Sequence, residues 1–253
     1  MREPARADDA RLRLAVTGTD TGVGKTVVTC ALLGALRARG YAVGGMKPVE
    51  TGVATRHAGS DAERIRRAAG GAHRPEDVAP FTFPDPLAPH VAARRVGMTV
   101  DLATLDRAFA RVERAADAVI VEGAGGLLVP FTPELAFADL VARWRLEFVV
   151  VAANRLGVIN HLLLTVREAE RRGLRVRAIV LNASRRGAGG LAARTNEEVI
   201  RELLPAVPLA TLPWLGATVE HAGTLGAAGM ALLDALALAP DATPPVTGAP
   251  VRW

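Results

Sequence analysis

Residues Arg11-Leu-Arg-Leu-Ala-Val-Thr17 run straight into Gly18-Thr-Asp-Thr-Gly-Val-Gly-Lys25-Thr26, and these into the segment ending at Arg39. The first stretch alternates and then turns apolar, the pattern of a strand entering a core. From Lys25 to Arg39, apolar residues recur at helical spacing through Val28, Leu32, Leu33 and Leu36, and Gly40 stops the run. A glycine-rich turn between strand and helix is the setting of a phosphate-binding loop. Its backbone N–H groups and the helix N-terminus point at phosphate oxygens, a lysine reaches the terminal phosphates, and a hydroxyl ligates Mg²⁺. Lys25 and Thr26 stand where those two groups are needed. Gly18 lies one residue too early for the usual G-x-x-x-x-G-K-[ST] spacing, because the expected glycine position holds Thr19. A turn with a coincidental lysine is the alternative, and the strand–turn–helix setting argues against it.

Outward from this unit the alternation continues. Tyr41 to Met46 reads as a second strand leading into Lys47-Pro48, and residues 49 to 60 as a polar loop before a helix from Asp61 to Ala69. Residues 71 to 98 are proline-rich with little periodicity and read as an irregular surface excursion. Helices follow at Val100 to Ala116, Ala136 to Arg145, Val158 to Arg172 and Gly190 to Leu204. They are interleaved with strands at Ala118 to Val121, Phe148 to Ala152, Val176 to Leu181 and Val207 to Leu212. Apolar strands alternating with helices predict an α/β protein of three layers, with a mostly parallel central sheet and helices on both faces. One domain over 11–239 is expected, flanked by an N-terminal tail (1–10) and a Pro-rich C-terminal tail (240–253).

Composition narrows the function. Half of the 253 residues are hydrophobic, which excludes a disordered chain. The single cysteine, Cys30, excludes a disulfide framework and reads as core packing. No apolar run reaches the roughly 20 residues of a membrane span, and the N-terminus lacks the apolar stretch of a secretory signal, so a cytoplasmic location is expected. The net charge of +5 does not point to nucleic acid, since the arginines are dispersed and aromatic residues make up only 4%. Of the 31 basic residues only Lys25 and Lys47 are lysines. An ammonium fits where a planar guanidinium does not, so both are candidate site residues.

Two further features fall at the same edge of such a sheet. Glu122 ends the apolar run Ala118-Val-Ile-Val121 and precedes Gly123-Ala-Gly-Gly126. A carboxylate at a strand's carboxyl end, beside a phosphate loop, suits contact with Mg²⁺, and the glycines let backbone approach a ligand. Lys47 follows the second strand and emerges at that edge too. Asp61 opens a helix, where Ser60-Asp61 equally reads as a helix cap. The histidines show no metal-ligand spacing; His90 could face the site or serve structure.

Four blocks in order, Gly18 to Thr26, Lys47-Pro-Val-Glu-Thr51-Gly, Val121-Glu-Gly-Ala-Gly-Gly126 and Leu156-Gly-Val-Ile-Asn-His161, resemble the dethiobiotin synthetases over about residues 12 to 235. The extra residue in the phosphate loop is that family's form. The resemblance implies Mg²⁺- and ATP-dependent closure of 7,8-diaminononanoate with CO₂ to a cyclic urea, giving ADP and phosphate. It implies that Gly22, Val23, Gly24, Lys25, Thr26 and Val27 hold the ATP phosphates with Gly123, Ala124 and Gly125 beside them, and that Thr26, Asp61 and Glu122 surround Mg²⁺. Lys47 and Lys25 would be catalytic and Thr51 a substrate contact. Asn182 would read adenine, with Pro213, Trp214, Leu215 and Glu220 completing the nucleotide pocket. A homodimer is implied, with Leu156 to His161 near the neighbouring subunit's substrate. Gly22 stands where some members carry Glu, and Ala183 where some carry Asp.

Two other classes share the phosphate loop. An amidating ligase commonly needs a glutaminase domain with a nucleophilic Cys, for which this chain has neither the length nor a placed Cys. An ATP-switched partner-binding protein often carries an early lysine in the loop, where Thr19 and Asp20 stand here.

Overall fold

The computed structural model describes residues 11–54, 59–183, 190–216 and 222–238. The two expected tails lie outside the described residues. Strands β1 (Leu12–Gly18), β2 (Val43–Met46), β5 (Ala118–Gly126), β6 (Glu147–Ala153), β7 (Val176–Asn182) and β8 (Leu209–Leu212) form one sheet in the order β2-β5-β1-β6-β7-β8. Every pairing in it is parallel, as the near-continuous apolar strands require of a sheet covered on both sides.

Alternate residues of each strand feed two cores. On one side Leu14, Val16 and Ile120 pack with α1 (Lys25–Ala38), α2 (Asp61–Ala68) and α9 (Ala222–Ala235) through Leu32, Leu33, Leu36, Ile65 and Leu232. On the other, Ala15, Val121 and Val150 pack with α5 (Leu102–Arg114), α6 (Phe137–Arg143) and α7 (Val158–Arg171) through Leu105, Phe109, Leu140, Leu162 and Val166. Helix α8 (Leu191–Leu203) joins the second core through Ile200. Leu32, Leu33 and Leu36 are fully buried, each contributing about 1.5–3 kcal/mol relative to exposure.

The proline-rich stretch differs from the expectation of an irregular excursion. It holds α3 (Pro75–Val78), β4 (Phe81–Phe83) and α4 (Pro89–Arg95), and β4 pairs in parallel with β3 (Val49–Thr51), a strand inside the expected loop 49–60. Both strands are three residues long, too short for a period to register. Their apolar residues, Val49, Phe81 and Phe83, are buried in the second core. The prolines open α3 and α4 at their first turns, where a missing N–H costs nothing. The strand expected to end at Val121 continues as β5 to Gly126, pairing Gly126 with Gly18. Helix α9 carries no clear polar face and was not legible as an amphipathic segment.

Helix α9 lies close against α1. A Cβ on Gly229 would fall 2.0 Å from the Ala31 carbonyl oxygen, so only glycine permits this approach. Nothing lies within 4 Å of the same position on Gly226. Gly229→Ala should therefore force the helices apart and cost about 1–3 kcal/mol. Gly226→Ala should be neutral or stabilising by up to about 1 kcal/mol through helix propensity. Urea denaturation of the two variants checks the opposite signs; equal effects would contradict the close packing.

Candidate active site

Strand register brings the site together before any side chain is considered. Val121 on β5 lies opposite both Ala15 on β1 and Met46 on β2. Lys47 thus leaves the end of β2 beside Glu122, which stays in β5 opposite Val16, next to the loop that follows β1. Lys47 Nζ donates to Glu122 Oε1 and to Asp61 Oδ2, each at 2.6 Å, and Thr26 Oγ1 donates to Glu122 Oε1 at 2.8 Å. Four of the residues singled out in the sequence, separated by up to 96 positions, form one connected cluster.

Both readings of Ser60-Asp61 apply. Ser60 caps α2, its Oγ accepting from the Glu63 N–H, while the Asp61 carboxylate reaches Lys47. Lys25 is buried, and its ammonium donates to the Asp20 carbonyl at 3.0 Å across the phosphate loop. The early glycine has a physical reason: a Cβ on Gly18 would lie 2.8 Å from the Asp20 oxygen and 3.0 Å from Lys25 Nζ. Gly24 has φ +98°, and a Cβ there would fall 2.1 Å from Asn182 Nδ2. No side chain caps α1 and its first turn holds no acid, so its N-terminus keeps its attraction for anions.

The charges explain the cluster's electrostatics. Glu122 has no solvent exposure, and a buried carboxylate is tolerable only with cationic and hydrogen-bonding partners. Burial works to lower the Lys47 pKa, but Glu122 and Asp61 outweigh it and hold the ammonium protonated, above its ordinary range. Burial likewise works to raise the Asp61 pKa, and Lys47 together with the Thr26 hydroxyl brings it below the usual carboxylate range. Lys25 has no such tight pair: burial lowers its pKa against the partial opposition of Glu122.

The residues present fit Mg²⁺. Glu122 Oε2 is buried without a hydrogen-bond partner, beside a hydroxyl and a second carboxylate. Among the described residues no group of three His, Cys, Asp or Glu side chains could by itself cage a metal. That suits Mg²⁺, which keeps several waters and is bound by one or two carboxylates together with substrate phosphates.

Asn182 ends β7 opposite Leu212, and its Nδ2 donates to the Val23 carbonyl at 2.8 Å, bracing the phosphate loop. Pro213, Trp214 and Leu215 follow β8 at the same edge, with the Trp214 side chain substantially exposed. Gly123, Ala124 and Gly125 lie on the C-terminal half of β5, and Thr51 ends β3. Glu220 lies outside the described residues. Three residues of the site were not singled out in the sequence. Asp20 pairs with Arg155 at 3.3 Å, and Glu50 is buried with its Oε1 accepting from the Ala62 N–H. Arg155 could not stand out in a chain whose general surface cation is arginine. Glu50 had a signal, an acid beside apolar Val49 in a segment already quoted.

A parallel sheet with a glycine-rich loop after β1, a buried lysine and hydroxyl at the next helix, and an acid on the adjacent strand defines a phosphate-loop α/β nucleotide enzyme. The sequence model of the AAA domain family matches residues 13–222. ATP-dependent dethiobiotin synthetase BioD of Anaeromyxobacter dehalogenans (strain 2CP-C) is 47% identical over 214 residues, 84% of this chain and 95% of that protein. ATP-dependent dethiobiotin synthetase BioD 1 of Salmonella typhi is 38% identical over 217 residues (84% and 93%), and that of Escherichia coli O157:H7 is 36% identical over 228 (87% and 99%). The chain belongs to the dethiobiotin synthetase family. Among the described residues no helix is long and apolar enough to cross a membrane.

Cys30, on α1 near this cluster, is buried, and burial followed by the Glu122 and Asp61 charges pushes its thiol up to about 12. A thiol at the ordinary 9.0 is about one-tenth thiolate at pH 8, whereas at about 12 only roughly one in ten thousand is. The native protein should therefore resist iodoacetamide at pH 8 and react once unfolded in urea. Rapid alkylation of the native chain, followed by intact mass, would show an accessible thiol instead.

Proposed function

We propose that the chain catalyses ATP-dependent synthesis of dethiobiotin from 7,8-diaminononanoate and CO₂, the closure of a cyclic urea in biotin biosynthesis. The observation that carries this reading is the placement of both lysines of the chain, with Thr26, Asp61 and Glu122, at one sheet edge beside a phosphate loop. The reaction must bring anion to anion. One amine adds to CO₂ and releases a proton, giving a carbamate. A carbamate oxygen then bonds to the γ-phosphorus as the bond to ADP breaks, giving a carbamic–phosphoric anhydride. The second amine attacks its carbonyl carbon, loses a proton and expels phosphate, closing the cyclic urea.

Each of the chain's groups answers one demand of that sequence. The loop N–H groups and Lys25 hold the phosphates, and the depressed Lys25 pKa reflects a buried ammonium with room to gain anionic partners. Lys47 orients the carbamate oxygen and stabilises charge on the transferring phosphoryl group, remaining protonated because Glu122 and Asp61 hold it so. Thr26, Asp61 and Glu122 would hold Mg²⁺, which when bound neutralises charge on the β- and γ-phosphates. Thr51, on the segment that carries Lys47, contacts the diamine. Asn182, with Pro213 to Leu215, borders the base. The chain acts in the cytoplasm as a homodimer. Helix α7 begins at Gly157, uncapped and with no acid in its first turn, beside the highly exposed Leu156, and exposed Leu164 follows one face on. Sedimentation as a monomer at micromolar concentration would remove the dimer.

The reading is tested by supplying purified protein with Mg-ATP and bicarbonate, with and without 7,8-diaminononanoate. Diamine-dependent phosphate release with a product of dethiobiotin mass is expected; ATP binding without diamine consumption would leave the phosphate loop and remove the substrate. Lys47→Gln should lose turnover by about 10²-fold or more, the scale of an electrostatic stabiliser, while keeping ATP affinity within a few-fold. It should also unfold at lower temperature, because Glu122 is left buried without its cation. Near-normal turnover would take Lys47 out of the mechanism. Thr26→Val should weaken the dependence of ATP binding on Mg²⁺, and an unchanged Mg²⁺ titration would count against a ligand at Thr26.

A further inference from the structure

Asp61 reaches Lys47 from the first position of a helix, at the far end of a chain segment that leaves the sheet edge at Lys47 itself. What fixes that helix relative to Lys47 is therefore part of the site. Glu50, three residues after Lys47 on β3, is only 2% exposed. Its Oε1 accepts from the N–H of Ala62, the second residue of that helix, at 3.2 Å. The Glu63 N–H is taken by Ser60 Oγ, and the Arg64 N–H by the Ser60 carbonyl. The N–H groups of Ala62, Glu63 and Arg64 thus have acceptors, and the one next to Asp61 is held by a side chain from another element.

A closed circuit results. Lys47 is joined by three residues of chain to Glu50, Glu50 by the Ala62 N–H to the start of α2, and Asp61 by its carboxylate back to the Lys47 ammonium at 2.6 Å. Capping alone does not account for Glu50. Ser60 already caps α2, and burying a full negative charge is costly, with Oε2 left without a partner. The bond to an N–H group at the positive end of a helix offsets part of that cost and ties β3 to the start of α2.

We propose that Glu50 is a positioning residue of the reaction: its buried carboxylate clamps the N-terminus of α2 to β3 and so sets the Asp61 carboxylate against Lys47. This rests on the reading that Asp61 and Lys47 serve Mg-ATP. Glu50→Ala opens the circuit, and Asp61 loses its fixed distance to Thr26 and Glu122. Glu50→Gln keeps the length and a carbonyl oxygen that can accept the Ala62 N–H. Glu50→Asp keeps the charge but falls one methylene short.

The experiment measures ATP binding by calorimetry across a Mg²⁺ titration, with hydrogen exchange of the peptide spanning Asp61 and Ala62. For Glu50→Ala the Mg²⁺ midpoint should rise about tenfold, the scale of losing one hydrogen bond, while ATP affinity without Mg²⁺ stays within about twofold. The Asp61 and Ala62 amides should lose protection in the same variant. Glu50→Gln should restore both readouts to near the parent values, and Glu50→Asp should not. If Glu50→Ala fails to fold, the contrast between the Gln and Asp variants decides. A Mg²⁺ midpoint that stays put in Ala and Asp, or a loss shared equally by Gln, overturns the positioning role. Asp61→Asn distinguishes the two levels of failure. If it shifts the midpoint and Glu50→Ala does not, Glu50 alone is wrong; if Asp61→Asn shifts nothing, the Asp61 assignment falls and this role with it.

Discussion

A carboxylate with no exposure to solvent, Glu122 at the carboxyl edge of the central sheet, sets the terms for everything around it. Water cannot stabilise its charge, so the protein must, and the cation it uses is Lys47. The register of β2 on β5 brings Lys47 to that carboxylate, and the Thr26 hydroxyl donates to the same oxygen. Lys47 also takes Asp61, because one ammonium can serve two carboxylates. The cluster that satisfies this buried charge gathers an ammonium, a hydroxyl and two carboxylates in one place.

The phosphate loop is braced on the same principle, by contacts from neighbouring strands and the segments that follow them. Asn182 at the end of β7 donates to the Val23 carbonyl, Arg155 beyond β6 pairs with Asp20, and Thr19 donates its N–H to Val151. The start of α1 carries no side-chain cap and no acid in its first turn, the condition for attracting an anion. Preorganisation of this kind removes the cost of ordering donors when charge develops during transfer. Asn182 illustrates an economy of position: the amide expected to read the base donates instead to the Val23 carbonyl of the phosphate loop.

Much of the fold was legible in residue order. The apolar strands at Leu12, Ala118, Phe148 and Val176 announced a parallel sheet, since only strands buried on both faces can be apolar throughout. The lysines were legible because arginine serves as the cation everywhere else. The β3–β4 pair was not, because two three-residue strands carry too few positions to show a period, and their pairing joins segments some thirty positions apart. Helix α9 was missed for a different reason. Its small residues, Gly229 among them, are selected for close approach to α1, which erases the polar face that periodicity detects.

By itself the sequence determined the chemical inventory: a phosphate loop, two ammonium groups, strand-end and helix-opening carboxylates, and four blocks in the order of one enzyme family. These are local facts, written in residues close together, and spacing is enough to read them. Only the tertiary structure decided which groups share an atom. That Lys47 bridges Asp61 and Glu122, that Thr26 joins them, and that Glu50 turns inward to hold the start of α2 follow from strand register and burial. Those are set by the whole core packing at once, and no window of sequence contains them.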